Sequence, residues 1–433
     1  MSKEKELALD LIEFIDKSKS AFHAVKVTKK YLLSNGFTEI NLKDNWNLER
    51  GKKYFTTKNN SALVAFNFGN KDVSDTGFKL VAAHTDSPCF RIKPNPEITM
   101  YNSYLKLNTE VYGGAILNTW FDRPLSIAGR VSVKSNNPLE PKEMLVDLEK
   151  PILIIPNLAI HMNREINSGF EYNAQVHTLP LLSMINDEFE KENYLIKLLA
   201  DNLDIDYKDI LDFEVYLYAT ENGSLVGLNE EFISSGKLDD LAMVHASMTA
   251  LVNSHNSDST NIAIAFDNEE VGSSTKQGAG SPFVKSVLNR IALAQDLNEE
   301  DFLIALEKSF LISADMAHAK HPNFGDKNDI TNIPIINKGP AIKIASNQAY
   351  TTDSTSSAIY KGICESAKVP VQFFVNRSDL RGGSTIGPIS SSQLPIRSVD
   401  IGGPMLAMHS ICELCGVDDH YYTYKSFLEF YNL

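Results

Sequence analysis

Two adjacent glutamates, Glu269 and Glu270, follow an apolar run at residues 261–266 in the segment Asp267-Asn268-Glu269-Glu270-Val271-Gly272-Ser273. Carboxylates at the end of such a run are costly to desolvate unless a cation holds them. A two-metal hydrolase needs both, one to ligate zinc and one to take the proton from the attacking water. Neighbouring side chains at a strand end diverge, so they can serve those separate roles. A second apolar run, residues 78–83, ends at His84-Thr85-Asp86-Ser87-Pro88. A histidine with a carboxylate two residues on suits a metal ligand and the group that orients its ring. Asp239 and Asp240 open a helical pattern, Asp315 follows a third run at residues 310–314, and His409 lies in Met408-His409-Ser410-Ile411. Taken singly, each also fits an ordinary turn, a helix cap or a solvated acid. As a set they have the right stoichiometry. His84, Asp239, Glu270, Asp315 and His409 would give each of two metals one histidine and one carboxylate. One aspartate would bridge, and Glu269 is left as the base. Nitrogen and oxygen ligands without thiolate suit zinc, and cobalt or manganese could substitute.

The apolar runs at 78–83, 261–266, 310–314 and 369–375 alternate with amphipathic patterns such as Leu238, Leu241, Val244, His245, Met248 and Leu251. That alternation predicts an α/β fold, a mainly parallel, doubly wound sheet with functional side chains beyond the strands' carboxyl ends. Two helices precede it. Leu7, Leu11, Ile12 and Ile15 mark the first, and the second, near 22–34, stops at Asn35-Gly36. The stretch from His84 to Asp239 is too long for one crossover. It holds β-like segments at 104–112, 125–134, 151–155 and 213–219, with helix around 181–203. Two domains are therefore expected: a discontinuous catalytic α/β domain, 1–92 and 235–433, and an inserted β-rich domain, 93–234, serving as lid or oligomer contact.

A chain of 433 residues, 43% of them hydrophobic, is long enough to divide into two cores. Its net charge of -14 argues against a nucleic-acid partner, which needs a concentrated basic surface. No run approaches the ~18 apolar residues of a membrane span, and the N-terminus has no signal-peptide core, so a cytoplasmic protein is expected. Cys89, Cys364, Cys412 and Cys415 make no disulfide framework. Cys412 and Cys415 form a lone CxxC among Leu406, Ile411, Leu414 and Val417, which reads as a helix with two half-buried structural thiols. His23, His177, His245, His255 and His420 read as structural or surface residues. His318 and His321 follow Asp315 closely and stay open.

The segments around His84, Glu269, Asp315 with His321-Pro322-Asn323, and His409 resemble the aspartyl aminopeptidase family of zinc exopeptidases, in the family's order and across nearly the whole chain. So do Tyr112-Gly113-Gly114, Thr119-Trp120-Phe121-Asp122-Arg123-Pro124, Pro156-Asn157-Leu158-Ala159-Ile160-His161 and Gly383-Ser384-Thr385-Ile386-Gly387-Pro388. The resemblance implies a zinc aminopeptidase that hydrolyses the N-terminal residue of peptides and prefers Asp or Glu. It implies that His84, Asp239, Glu270, Asp315 and His409 bind two zinc ions, with Asp239 bridging, Glu269 as base and Asp86 supporting His84. Lys343 would receive the acidic side chain, although a lysine snorkelling at a strand end looks the same. His161 would reach a neighbouring subunit's active site, within a homo-oligomer of twelve subunits built from dimers. Asp240 departs from the family pattern, where a neutral amide is more familiar. The alternatives are a broader-specificity aminopeptidase, another two-zinc amide hydrolase such as a carboxypeptidase or deacylase, and a non-enzymatic scaffold.

Overall fold

The first three apolar runs lie in the middle of a nine-stranded sheet, and the run at 369–375 supplies an edge strand, in the computed structural model, which describes residues 1–185, 193–380 and 382–433. Its order is Thr38–Glu39, Lys53–Lys58, Ala62–Asn67, Thr260–Phe266, Phe78–His84, Phe310–Ala314, Arg397–Gly402, Ala341–Ile344 and Gln372–Val375. The four strands from Thr260–Phe266 to Arg397–Gly402 are mutually parallel. Antiparallel pairs join them to Ala62–Asn67 on one side and Ala341–Ile344 on the other. The sheet is thus parallel at its centre and mixed towards its margins.

A strand covered on both faces reads as an unbroken apolar run, and the period of two reappears in which core each residue enters. Leu80, Ala82, Ile262, Ile264 and Leu311 pack into one cluster with residues of helices Phe283–Leu293 and Glu299–Lys308. Val81, Ala83, Ala263, Ala265 and Ile312 enter the other with residues of helices Leu238–Asn253 and Val417–Asn432. Helix Glu299–Lys308 starts with a reciprocal cap: Asn298 accepts the Asp301 N–H while Asp301 accepts the Asn298 N–H. Helix Ser354–Ala367 begins the same way at Asp353 and Ser356.

The chain divides into two units: Met1–Asp86, Gly223–Met408 and Glu413–Leu433 in the first, and Ser87–Asn222 with His409–Cys412 in the second. The second unit is a six-stranded antiparallel sheet, ordered Lys142–Asp147, Leu125–Val133, Ile210–Ala219, Cys89–Met100, Tyr104–Tyr112 and Leu181–Met184. Phe90, Trp120, Ile127, Leu199 and Val215 belong to its own core.

Three local expectations change. The helix read around 181–203 is a strand at Leu181–Met184 and a helix at Tyr194–Leu203; residues 186–192 lie outside the described residues. Leu105 and Lys106 claim the first part for the sheet edge. The stretch at 151–155 contributes two isolated bridges, Leu153 to Leu125 and Ile154 to Leu181, and no strand of its own. The CxxC segment is not helical. Glu413–Gly416 is a strand of a five-stranded sheet, where Cys415 pairs with Ile233 and is buried. The apolar spacing that suggested a helix there also fits a strand between two partners.

His245 and His420, read as structural, link three helices of the first unit. His245 Nδ1 lies 3.0 Å from His420 Nε2, and His245 Nε2 lies 3.1 Å from Asp10 Oδ2 on helix Lys3–Lys17. Burial, with His245 adding to it, holds the His420 imidazole well below its usual 6.5. A folded-state value below the unfolded one means that the unfolded chain binds the proton more readily, so stability falls as pH drops through about 6.5. The loss should reach up to about 1.4 kcal/mol per pH unit. Melting temperatures between pH 7.5 and 5 should fall in the wild type and fall less in His420→Gln; parallel curves would reject this role.

Candidate metal centre

His84 is the last residue of its strand, and parallel register sets it beside Phe266. The turn that follows Phe266 therefore leaves the sheet next to His84. Asp315 follows Phe310–Ala314, the parallel neighbour on the other side. Asp239 and Asp240 come from the start of Leu238–Asn253, where both have non-helical backbone angles before the regular turns begin. A helix N-terminus is a favourable place for negative charge.

One ligand atom from each of His84, Asp239, Asp240 and Asp315 lies within 4.8 Å of the others, and the same holds for His84, Glu269 and Glu270. His84 Nε2 is 3.4 Å from Asp239 Oδ1 and 3.9 Å from Asp240 Oδ2. Its Nδ1 is 3.0 Å from the Asp86 carbonyl oxygen and 3.4 Å from Asp86 Oδ1. A proton on Nδ1, donated to that carbonyl, leaves the Nε2 lone pair directed at the cluster.

The Asp86 carboxylate has a second task. It accepts the backbone N–H of Glu269 on Oδ1 and of Glu270 on Oδ2, each at 3.1 Å. The turn is locked from its other side as well. Asn268, at φ 61°, accepts hydrogen bonds from Thr275 Oγ1 at 2.9 Å and Gln277 Nε2 at 2.8 Å. Asparagine tolerates that left-handed conformation better than most residues. The two glutamates are held in place by their backbone.

Six carboxylates round one imidazole, those of Asp86, Asp239, Asp240, Glu269, Glu270 and Asp315, are electrostatically expensive. Two like charges about 5 Å apart repel by about 3 kcal/mol at an effective dielectric of roughly 20. Burial above all pushes Glu269 up to about 8, with Asp315, Asp86 and Asp239 adding to it against the pull of His84. Burial likewise carries Asp240 and Glu270 well above the usual carboxylate range. It brings Asp315 to about 6, although Lys343 opposes it. Burial alone would lower the His84 imidazole, but Asp240, Asp239 and Asp86 outweigh it and raise it. A divalent cation relieves all of these at once. The donor set fits zinc: imidazole nitrogen, carboxylate oxygen and, at Asp240 Oδ1, a buried oxygen with no hydrogen-bond partner.

The remaining residues named from the sequence are placed as follows. Lys343 is 3% exposed, with Nζ 3.6 Å from Asp315 Oδ1 and 5.7 Å from the centre of the Tyr350 ring. His409 belongs to the second unit, where its Nδ1 is 3.1 Å from the Gly114 carbonyl oxygen. His161 is an exposed turn residue of the same unit. His318 packs on Phe374 and His321 accepts the Asn323 N–H; neither joins a candidate metal group among the described residues. Two residues were given no role by the sequence reading. Asp240, fully buried, accepts the His84 backbone N–H at 3.1 Å on Oδ2. Glu413, 2% exposed, accepts the Asp239 N–H at 3.1 Å. The only signal for Asp240 was its adjacency to Asp239, which a helix cap explains equally well.

A parallel sheet that gathers carboxylates and a histidine at the ends of its central strands is the framework of a metal-dependent hydrolase. The chain belongs to the M18 family, described as aminopeptidase I zinc metalloprotease, whose model matches residues 14–431. It is therefore a zinc aminopeptidase, an enzyme that hydrolyses the N-terminal residue of peptides. It is 61% identical to a probable M18 family aminopeptidase 2 of Clostridium novyi, over the full length of both chains. Among solved structures, a chain of the Ape4 and Nbr1 complex is 39% identical with a TM-score of 0.94, over 99% of this chain and 86% of that one. The Saccharomyces cerevisiae mApe1 dodecamer is 26% identical with a TM-score of 0.86, over 99% and 97%.

Proposed function

We propose that the enzyme removes acidic residues, Asp and Glu, from peptide N-termini at a centre of two zinc ions. His84, Asp239, Glu270, Asp315 and His409 would hold them, with Asp239 bridging, and cobalt or manganese could replace zinc. The two-ion reading is supported by the excess of buried carboxylates round His84, more than one divalent ion would balance. The Gly114 carbonyl, 3.1 Å from His409 Nδ1, supports counting His409 among the ligands, since a proton on Nδ1 would make Nε2 the metal-binding nitrogen.

Zinc bound there supplies Lewis acidity at the scissile carbonyl. Glu269, its backbone N–H fixed by Asp86, takes the proton from the attacking water and passes it to the leaving amine. The partner subunit's His161 would steady the developing oxyanion. That role requires a homo-oligomer, which the dodecameric yeast relative supports; the assembly would be a dodecamer built from dimers, with the inserted domain as lid and dimer contact. The acidic net charge is in keeping with a cytoplasmic enzyme.

The observation that carries the substrate reading is the buried cation Lys343 beside the cluster. With Asp315 committed to a metal, the ammonium is left to meet a substrate carboxylate. Such a pair at about 4 Å is worth ~4 kcal/mol at an effective dielectric of roughly 20. Lys343→Met should therefore lower kcat/KM for aspartyl and glutamyl amides by roughly a hundredfold or more, and for leucyl amide by far less. An equal loss on all three substrates would favour the broader-specificity reading.

A further inference from the structure

Asp400, on strand Arg397–Gly402, is fully buried, and the reaction described above does not use it. Both of its carboxylate oxygens are taken up by donors from three other segments. Oδ1 accepts the Ser313 hydroxyl at 2.6 Å and the Thr385 hydroxyl at 2.6 Å. Oδ2 accepts the Thr351 backbone N–H at 2.6 Å and the Thr351 hydroxyl at 2.7 Å. The Asp400 backbone N–H donates to Thr352 Oγ1 at 2.9 Å. Gly387 comes so close that a methyl group there would stand 2.5 Å from Oδ2. A buried carboxylate so fully engaged fixes whatever donates to it, because each charge-assisted bond is strong and leaving one unmade is costly.

What it fixes lies beside Lys343. Pairing of Ala341 with Gly402 and Ile342 with Ile401 leads to Lys343 and Asp400 as the next residues on the two strands. Thr351 follows Tyr350, whose ring stands 5.7 Å from Lys343 Nζ. Ser313 stands two residues before Asp315. Thr385 and Gly387 come from Gly383-Ser384-Thr385-Ile386-Gly387-Pro388, a motif to which no chemistry has so far been attached. Ser384 donates to the Ala349 carbonyl at 3.4 Å, a second stitch between these segments.

We propose that Asp400 is the positioning residue of the substrate side-chain pocket. By collecting Ser313, Thr351 and Thr385 it holds the 349–352 and 383–387 segments at a fixed place round Lys343. Asp400 does not touch the substrate; it determines how well Lys343 and Tyr350 are presented to it. The proposal rests on the reading of Lys343 as the receptor of an acidic side chain.

The test uses the full-length zinc-loaded enzyme with aspartyl and leucyl amide substrates. In Asp400→Asn the amide turns a donor towards groups that mostly donate. KM for the aspartyl substrate should rise roughly tenfold or more, with kcat within about threefold and leucyl KM nearly unchanged. Gly387→Ala, which crowds Oδ2, should show the same pattern. Should Asp400→Asn fail to fold, Thr351→Val and Thr385→Val each remove one hydroxyl and should each raise aspartyl KM about threefold or more. A merely structural role would lower kcat on both substrates together and leave the aspartyl-to-leucyl ratio of kcat/KM unchanged, and that result overturns the proposal. A wild type without acidic preference overturns the reading of Lys343 instead. Asp400 is then judged on the substrate the wild type favours, whose KM must still rise with kcat held.

Discussion

Glu269→Gln should retain its zinc and lose roughly 10²–10⁴ of its turnover, the usual contribution of a positioned general base. The loss corresponds to about 3–5 kcal/mol of barrier. Glutamine keeps the size of the side chain, and the Asp86 bond to the residue 269 backbone N–H survives the change. The substitution thus removes the proton acceptor and little else. KM should change little, because the lost interaction belongs to the transition state. Metal analysis beside steady-state kinetics decides the matter: near-wild-type turnover at full metal occupancy would end the assignment of Glu269 as base.

Asp239→Asn should act differently, by removing metal. Asp239 Oδ1 lies 3.4 Å from His84 Nε2, and its ligand atom shares one cluster with those of Asp240 and Asp315. An amide cannot balance the charge of two cations or bridge them as a carboxylate does. On the two-ion proposal, zinc content should drop to one or none per subunit, and turnover should fall by roughly 10³ or more, as expected when metal-assisted hydrolysis loses its Lewis acid. Two zinc ions retained with full activity would show that Asp239 is not the bridge.

The sequence was most informative where burial is complete. Residues 78–83, 261–266 and 310–314 are each apolar but for one residue, Lys79, Asn261 and Ser313 respectively, because both faces of their strands are covered, so strand ends and the polar residues after them could be read directly. That is why His84, Asp315 and the Glu269–Glu270 pair stood out. The margins of the sheet were less legible. Ala62–Asn67 and Ala341–Ile344 run antiparallel to their inner neighbours, and nothing in a strand's own residues states the direction of the strand beside it. The five-stranded sheet was missed because its strands are two to four residues long, too short for a period to show. The roles of Asp240, Asp400 and Glu413 escaped for a different reason. Each acts through a contact with a residue distant in sequence: His84, Thr351 and Asp239 respectively. Such partners come together only in three dimensions.

The chain enters the second unit twice, once for Ser87–Asn222 and again for the four residues His409–Cys412. Within that unit the short return is stitched in. The Ile116 N–H donates to the His409 carbonyl at 3.0 Å, the Ile411 N–H donates to Thr119 Oγ1 at 3.1 Å, and Ile411 joins the core. The β-rich unit is therefore no cassette that could be cut out at its two long boundaries. Splicing residue 86 to residue 223 would leave a tetrapeptide without its anchorage and free the ring of His409 to turn. Any lineage that shortens this region, by design or by drift, must keep Gly114 and Thr119 or find another way to hold that histidine.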